Sequence, residues 1–160
     1  MQTDEISDIS NWDVSSVKYM DGMFMNTTFN GDISNWETSN VESLYKTFMY
    51  TSFNGDISGW DVTKSRNLID GEVANDLGDY PVCFTAMFKN SAFNRDISSW
   101  NVSRSSCMNS MFNGAFNFNQ DLSSWVVSHV QNCDEFWKGA DSWVLPKPNF
   151  IISQQCNPGQ

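Results

Sequence analysis

The sequence predicts a repeat solenoid, and three observations support that prediction. The phrase Asp-Ile-Ser-x-Trp recurs along the chain, its tryptophans are spaced by 24, 24, 40 and 25 residues, and the apolar residues between the phrases return in the same order. Periods of about 20 to 50 residues are typical of units that bury a continuous core only by stacking on their neighbours. We therefore expect one domain, residues 1–160, with about five repeats in 6–139, an insertion at 66–81 and a C-terminal cap at 140–160.

The first expected element of each repeat is a short strand. Ile9, Trp12 and Val14 follow the apolar spacing of a leucine-rich-repeat strand, and the spacing returns from Ile57 and Ile97. Alternate residues of a strand face opposite sides, so Trp and Val would point inward and their neighbours outward. Parallel crossover connections are right-handed. The expected fold is therefore a right-handed, leucine-rich-repeat-like solenoid with short parallel β-strands on one face.

The second expected element is a short helical or 3₁₀ turn on the opposite face. The spacing Val17-x-x-Met20-x-x-Met23-Phe24 is three residues and then one, which suits such a turn. Repeated Asp and Asn residues lie between the elements, and we interpret them as turn residues whose side chains accept hydrogen bonds from backbone amides. They are Asp8, Asp32, Asp56, Asp96 and Asp121, and Asn30, Asn54, Asn94 and Asn119.

The insertion, residues 66–81, raises the question of a metal site. It contains four carboxylates, Asp70, Glu72, Asp76 and Asp79. Carboxylate oxygens are the ligands that Ca²⁺ prefers, but this spacing does not match an EF-hand loop. A surface excursion is therefore the first expectation, and a weak Ca²⁺ site is the alternative.

Composition excludes several classes of function. The net charge is -10 with 9 Lys and Arg, which leaves no basic patch for nucleic acid. No apolar run approaches the roughly 20 residues of a membrane-spanning helix, so no transmembrane segment is expected. The single histidine, His129, has no nucleophile motif beside it, and metal-ligand pairs of the usual spacing are absent from the sequence. We therefore expect neither an enzyme nor a firm metal site nor any other cofactor.

The outward side of the strands is the predicted binding face. Its middle column is acidic in the first three repeats, and a basic protein, a glycan or a cation would suit it. A purely solvated surface is the alternative. An ice-binding role for the hydroxyl column (Ser15, Ser39 and Thr63) is a further hypothesis, and the carboxylate column beside it argues against that role. The candidate residues are Asn11 and Asn35, then Asp13, Glu37, Asp61 and Asn101, then Ser15, Ser39 and Thr63.

The four cysteines allow three pairings, and the repeat register favours one of them. Cys83 and Cys107 occupy the same column of adjacent repeats, where stacking brings Cα atoms near the separation that a disulfide needs. Cys133 would then pair with Cys156. Four buried thiols in a reducing compartment are the alternative.

Export is the expected destination of this chain. N-glycosylation sequons begin at Asn26 and Asn101, and a disulfide pair would agree with them. We expect an extracellular or cell-surface protein.

The repeated pattern resembles that of a known family. Phe-Asn-x-Asp-Ile-Ser-x-Trp-Asp-Val-Ser-x-Val-x-x-Met-x-x-Met-Phe, over roughly Ile6 to Gly139, resembles the BspA-like, leucine-rich-repeat-related surface proteins. The insertion after Val62 and the pair Glu37-Thr38 in place of Asp-Val depart from that pattern. The resemblance implies a non-enzymatic, surface-displayed module for binding or adhesion.

The two ends of the repeat array are expected to differ. Pro146 and Pro148 remove backbone donors and would stop further stacking at the C-terminal end. At the other end the phrase at Ile9 begins almost at once, so that edge would be bare, capped by a preceding segment or docked on another subunit. Docking gives an alternative function, a structural subunit that self-associates end to end into a fibre or surface appendage.

Overall fold

The computed structural model describes residues 8–63, 82–151 and 156–159. These residues contain no helix and two short parallel strands, β1 (Val82–Cys83) and β2 (Ser105–Cys107), which pair with each other. Accordingly, no helix in this part of the chain is long and apolar enough to cross a membrane. Two isolated parallel bridges also join residues of different repeats, Tyr19 with Ser43 and Cys107 with Asn132.

The predicted right-handed leucine-rich-repeat-like solenoid is wrong, because neither of its elements forms across the described repeats. Where a strand was expected, the phrase makes a tight turn in which the N–H of Trp12 donates to the carbonyl of Ile9 at 3.1 Å. Where a helical turn was expected, Gly22 and Asn26 have φ values of 59° and 59°. Left-handed φ values interrupt a right-handed helix, and the backbone here turns repeatedly instead.

Hydrogen bonds between adjacent repeats replace the expected sheet. The N–H of Gly22 donates to the carbonyl of Tyr45 at 2.8 Å, and that of Phe24 to Thr47 at 3.0 Å, while intervening N–H groups donate to carbonyls three residues earlier. Each later repeat continues this alternation, so the repeats lie side by side in a stack. Its left-handed residues are Gly22 and Asn26, Lys46 and Tyr50, Ala86 and Asn90, Ser110 and Gly114, and Glu135 and Gly139.

Aromatic rings fill the interior of the stack in columns. Phe48 packs parallel to Phe24 and Phe88, with ring centroids 5.5 and 5.8 Å apart. Trp60 stacks on Trp36 at 6.2 Å. Each such ring removes on the order of 150–250 Å² from water, which compensates for the lack of regular secondary structure. The remaining Phe column is Phe29, Phe53, Phe93 and Phe118.

The C-terminal residues cover the last repeat. The N–H groups of Glu135 and Trp137 donate to carbonyls in 157–158 at 3.2 and 3.0 Å. A disulfide between Cys133 and Cys156 ties this segment to the last repeat, and it is the pairing that the repeat register favours. Two of the backbone donors that a further repeat would use, the N–H groups of Glu135 and Trp137, are therefore already satisfied at this end.

Candidate functional site

The outer side of the stack carries one aspartate from each repeat. In every case Oδ1 accepts a hydrogen bond from the backbone N–H of the serine two residues later, at 2.9 or 3.0 Å. This geometry is an Asx-turn, which confirms the interpretation of these aspartates as turn residues. The set is termed the aspartate row and consists of Asp8, Asp32, Asp56, Asp96 and Asp121.

Hydrogen bonding holds the pKa of most of the aspartate row below its ordinary value. The largest cause is the backbone N–H of the following serine at Asp8, Asp32 and Asp56, and the serine hydroxyl at Asp121. Like-charge repulsion from Asp8 and Asp56 opposes this lowering of the pKa at Asp32. Arg95 lowers the pKa of Asp56 further. These four carboxylates therefore remain negatively charged at neutral pH.

The predicted middle column of the binding face has the same local role. Oδ1 of Asp13 accepts from the N–H of Ser15 at 3.0 Å and from its hydroxyl at 2.6 Å, which lowers the pKa of Asp13. The corresponding N–H bonds reach Glu37 from Ser39, Asp61 from Thr63 and Asn101 from Ser103. These acceptors are exposed, but one oxygen of each is committed to its own turn.

A third polar column joins the repeats to one another. Oδ1 of Asn30 accepts the backbone N–H of Asn54, and Oδ1 of Asn54 accepts that of Asn94, each at 2.8 Å. Asn94 and Asn119 continue the series, at 2.9 Å between them. The asparagine column therefore satisfies backbone donors and offers little to a ligand.

A groove opens beside the aspartate row where the third and fourth repeats meet. It encloses about 430 Å³ and is lined by Asp56, Ser58, Arg95, Asp96 and Ser99. The Ser99 hydroxyl donates to the carbonyl of Ser58 at 3.2 Å, which fixes one wall. Here a guanidinium, two carboxylates and two hydroxyls meet at the protein surface.

Arg95 is the groove residue that sequence reasoning missed. Its Nε donates to the carbonyl of Asn54 at 2.7 Å, which positions the guanidinium between two repeats. The signal was present in the sequence, because Gly31 and Gly55 occupy the same column in earlier repeats and Gln120 in the last. A large cation in a column otherwise filled by small or neutral residues departs from the structural requirement of the repeat.

The remaining asparagines predicted for the binding face and for glycosylation lie on the surface. Asn11 and Asn35 are exposed. The sequon residues Asn26 and Asn101 are also exposed, although Oδ1 of Asn101 accepts the hydroxyl of Ser103, its own sequon serine, at 2.7 Å. The insertion with Asp70, Glu72, Asp76 and Asp79 lies outside the described residues.

The predicted Cys83–Cys107 pair is only partly described. Cys107 is disulfide-bonded, and the backbone register of β1 and β2 pairs Cys83 with Cys107. The side chain of Cys83 lies outside the described residues.

No catalytic or metal-binding constellation is assembled in the described ranges. His129 is exposed, and its Nδ1 lies 3.1 Å from the carbonyl oxygen of Ser103. The described residues contain no group of three His, Cys, Asp or Glu side chains placed to hold a metal ion. The groove brings a guanidinium, two carboxylates and two hydroxyls together in this part of the chain.

Comparison with known proteins gives a family match. No curated protein and no solved structure matches the sequence. Residues 2–70 and 82–157 match the family described as Mycoplasma protein of unknown function, DUF285. The gap between the matched segments falls inside the insertion that interrupts the third repeat. Since the two segments cover more than half of the sequence, the chain belongs to the DUF285 family.

Proposed function

We propose that this chain is a non-enzymatic, surface-displayed binding or adhesion module whose polar outer side contacts a glycan. The observation that supports this most is the groove beside Asp56, Arg95 and Asp96. The resemblance of the repeated pattern to BspA-like surface proteins supports the same role. An extracellular or cell-surface location is part of the proposal, and the Cys133–Cys156 disulfide supports it because such bonds persist in oxidising compartments.

The chemistry of the groove favours a glycan over an apolar ligand. Its volume of about 430 Å³ lies within the roughly 300–1,000 Å³ of small-molecule sites. Its lining consists of two carboxylates, a guanidinium and two hydroxyls, with no aromatic or aliphatic side chain. Sugar hydroxyls both donate and accept hydrogen bonds, so the carboxylates and serine oxygens can accept from them while the guanidinium donates to them.

Arg95 supplies the specificity in this proposal. Its Nε is held by the Asn54 carbonyl at 2.7 Å, while the remaining N–H donors of the guanidinium are available to a ligand. Asp56 lies close enough for Arg95 to lower its pKa. Arg95 offsets part of the attraction that Asp56 and Asp96 would exert on a purely cationic ligand. A ligand with several hydroxyls can accept hydrogen bonds from the Arg95 guanidinium and donate hydrogen bonds to the Asp56 and Asp96 carboxylates.

A glycan array with matched variants tests the proposal. The purified chain should bind a defined subset of glycans, and Arg95→Gln should abolish that binding while Arg104→Gln preserves it. Both variants remove one positive charge from an arginine, but Arg104 does not line the groove. Absence of any bound glycan, or equal binding by Arg95→Gln and the unchanged chain, contradicts the proposal. Binding confined to basic peptides would replace the glycan with a protein partner.

A further inference from the structure

Two carboxylates of the aspartate row face the groove, each with one oxygen that its own turn does not use. Oδ1 of Asp56 accepts the N–H of Ser58 at 2.9 Å, and Oδ1 of Asp96 accepts that of Ser98 at 2.9 Å. Within the described residues, Oδ2 of neither aspartate accepts a hydrogen bond. Because both aspartates line the groove, each offers one carboxylate oxygen to a ligand.

The guanidinium of Arg95 does not neutralise these carboxylates by direct contact. Its Nε donates to the carbonyl of Asn54 at 2.7 Å. Arg95 lies close enough to lower the pKa of Asp56, but in the described part of the chain it forms no direct ion pair with Asp56 or Asp96. Two carboxylates and one guanidinium leave one negative charge in excess in the groove. A ligand that matches these groups needs a positive group as well as acceptors for the guanidinium.

Small residues border the groove at a position where the first two repeats hold asparagine. Ser99 lines the groove, and the preceding repeat holds Gly59 at the same position. A Cβ added to Gly59 would meet no atom within 4 Å. The asparagines of the first two repeats are Asn11 and Asn35. The surface is therefore open along the third and fourth repeats, which leaves room for a chain of several sugar units.

An ammonium group matches the unused carboxylate oxygens better than a hydroxyl does. It carries three N–H donors and one positive charge, so it matches both the oxygens and the excess negative charge. Hydrogen bonds that involve charged groups are roughly twice as strong as those between neutral groups. The two aspartates belong to adjacent repeats, and Phe53 and Phe93, three residues before them, stack with ring centroids 6.3 Å apart. One group bound between these repeats therefore lies near both carboxylates.

We propose that the glycan bound in the groove carries a free amino group, as glucosamine does and N-acetylglucosamine does not. This inference rests on the proposed glycan-binding function. The protonated amine donates to Oδ2 of Asp56 and Asp96, and a neighbouring hydroxyl oxygen accepts from the Arg95 guanidinium. An acetylated nitrogen is uncharged and keeps a single N–H donor, so it does not replace the ammonium group.

Three tetrasaccharides with the same linkage test the proposal. The β-1,4-linked tetramers of glucosamine, glucose and N-acetylglucosamine differ only in the group at carbon 2, which is an amine, a hydroxyl or an acetamide. Isothermal titration calorimetry at about pH 6, where the amine is protonated and aspartates are ionised, measures the affinity of the purified chain for each. The glucosamine tetramer should bind about tenfold more tightly than the glucose tetramer, or better still.

Two amide replacements assign the preference to the groove. Asp56→Asn and Asp96→Asn keep an oxygen for the turn, as Asn101 does when it accepts the N–H of Ser103 at 3.2 Å, but they remove the charge. Each should reduce the preference for the amine over the hydroxyl about tenfold. Asp121→Asn is the matched control, because Asp121 belongs to the aspartate row and does not line the groove. It should retain the preference.

The results separate this inference from the proposed function. Equal affinity for the glucosamine and glucose tetramers, or an unchanged preference in Asp56→Asn and Asp96→Asn, overturns the inference. Tetralysine carries the same number of amines, and equally tight binding of tetralysine would also overturn it, because charge alone would then explain the affinity. If glycans without amines bind and depend on Arg95, the inference fails and the glycan groove stands. If no glycan of any kind binds, the proposed function fails with it.

Discussion

The indole N–H groups of the buried tryptophans connect each repeat to the one before it. Nε1 of Trp36, Trp60, Trp100 and Trp125 donates to the main-chain carbonyl of the isoleucine in the preceding repeat at 3.0 or 3.1 Å. The ring also contributes its area to the core. Tryptophan is therefore required in this column for a polar reason that phenylalanine cannot meet.

Replacing one of these tryptophans tests that role. Trp60→Phe removes the donor to the Ile33 carbonyl and leaves a buried acceptor unpaired, so we expect a loss of about 1–3 kcal/mol in the free energy of unfolding, with an added cavity cost. Trp12→Phe is the matched control, because Trp12 is 55% exposed. Urea denaturation measures both. Equal losses in the free energy of unfolding for the two variants would show that the indole hydrogen bond does not stabilise the fold.

The aspartate row should make stability depend on pH. A carboxyl group whose pKa is lowered by folding stabilises the native state above the unfolded pKa, and that contribution is lost as pH falls through the folded pKa. Since folding lowers the pKa of Asp8, Asp32, Asp56 and Asp121, the free energy of unfolding should decrease as the pH falls below about 4.

A single amide replacement isolates this effect. Asp32→Asn keeps an acceptor oxygen for the Ser34 N–H but cannot ionise, so its unfolding free energy should fall less steeply in acid. Asn35→Gln changes an exposed residue without removing a carboxyl and should retain the slope of the unchanged chain. Denaturant midpoints measured from neutral to acid pH give both slopes. If Asp32→Asn left the slope unchanged, the Asx-turns would not be the source of the loss of stability in acid.

At the scale of the element, each turn segment depends on two left-handed residues. Gly22 and Gly114 have φ values of 59° and 65°, and the equivalent positions of other repeats hold Lys46, Ala86 and Asn90 among others. Residues with a Cβ tolerate this conformation at a cost of roughly 1–2 kcal/mol each. The cross-repeat hydrogen bonds and ring packing hold them there.

Two glycine substitutions separate backbone strain from crowding. Gly22→Ala should cost roughly 1 kcal/mol, because its new Cβ would lie 3.8 Å from the nearest atom and only the backbone preference is lost. Gly114→Ala should cost roughly 1–3 kcal/mol more, since its Cβ would collide with the side-chain oxygen of Asn90. Thermal unfolding measures the difference. Equal destabilisation would mean that Asn90 moves aside without cost.

At the scale of the whole molecule, the sequence predicts which residues form the repeated columns more accurately than it predicts the backbone conformation. The period of the repeat places the Trp and Phe columns and the turn aspartates correctly, because these residues meet the same requirement in every unit. The strand and helix predictions are wrong because a spacing of two or three apolar residues also suits successive tight turns. Left-handed φ values at Lys46, Tyr50 and Ala86 carry no sequence signal comparable to glycine.

The candidate site shows the same division. The sequence identifies Asp13 and Asp61 as exposed residues. It does not predict that each accepts a hydrogen bond from the backbone N–H of the residue two positions later. The groove depends on Arg95 lying against the neighbouring repeat, which requires the stacking geometry. Departures from a repeat column, such as Arg95, are therefore better guides to a binding site here than the repeated residues themselves.

The central claim is that cross-repeat hydrogen bonds, and not helices or long strands, build this chain. Long-range HNCO spectra detect hydrogen-bonded pairs directly through their nitrogen–carbon couplings. The account predicts correlations from the N–H of Phe24 to the carbonyl of Thr47 and from that of Phe48 to Met87. A correlation from Phe24 to Met20, four residues earlier as in an α-helix, would contradict it.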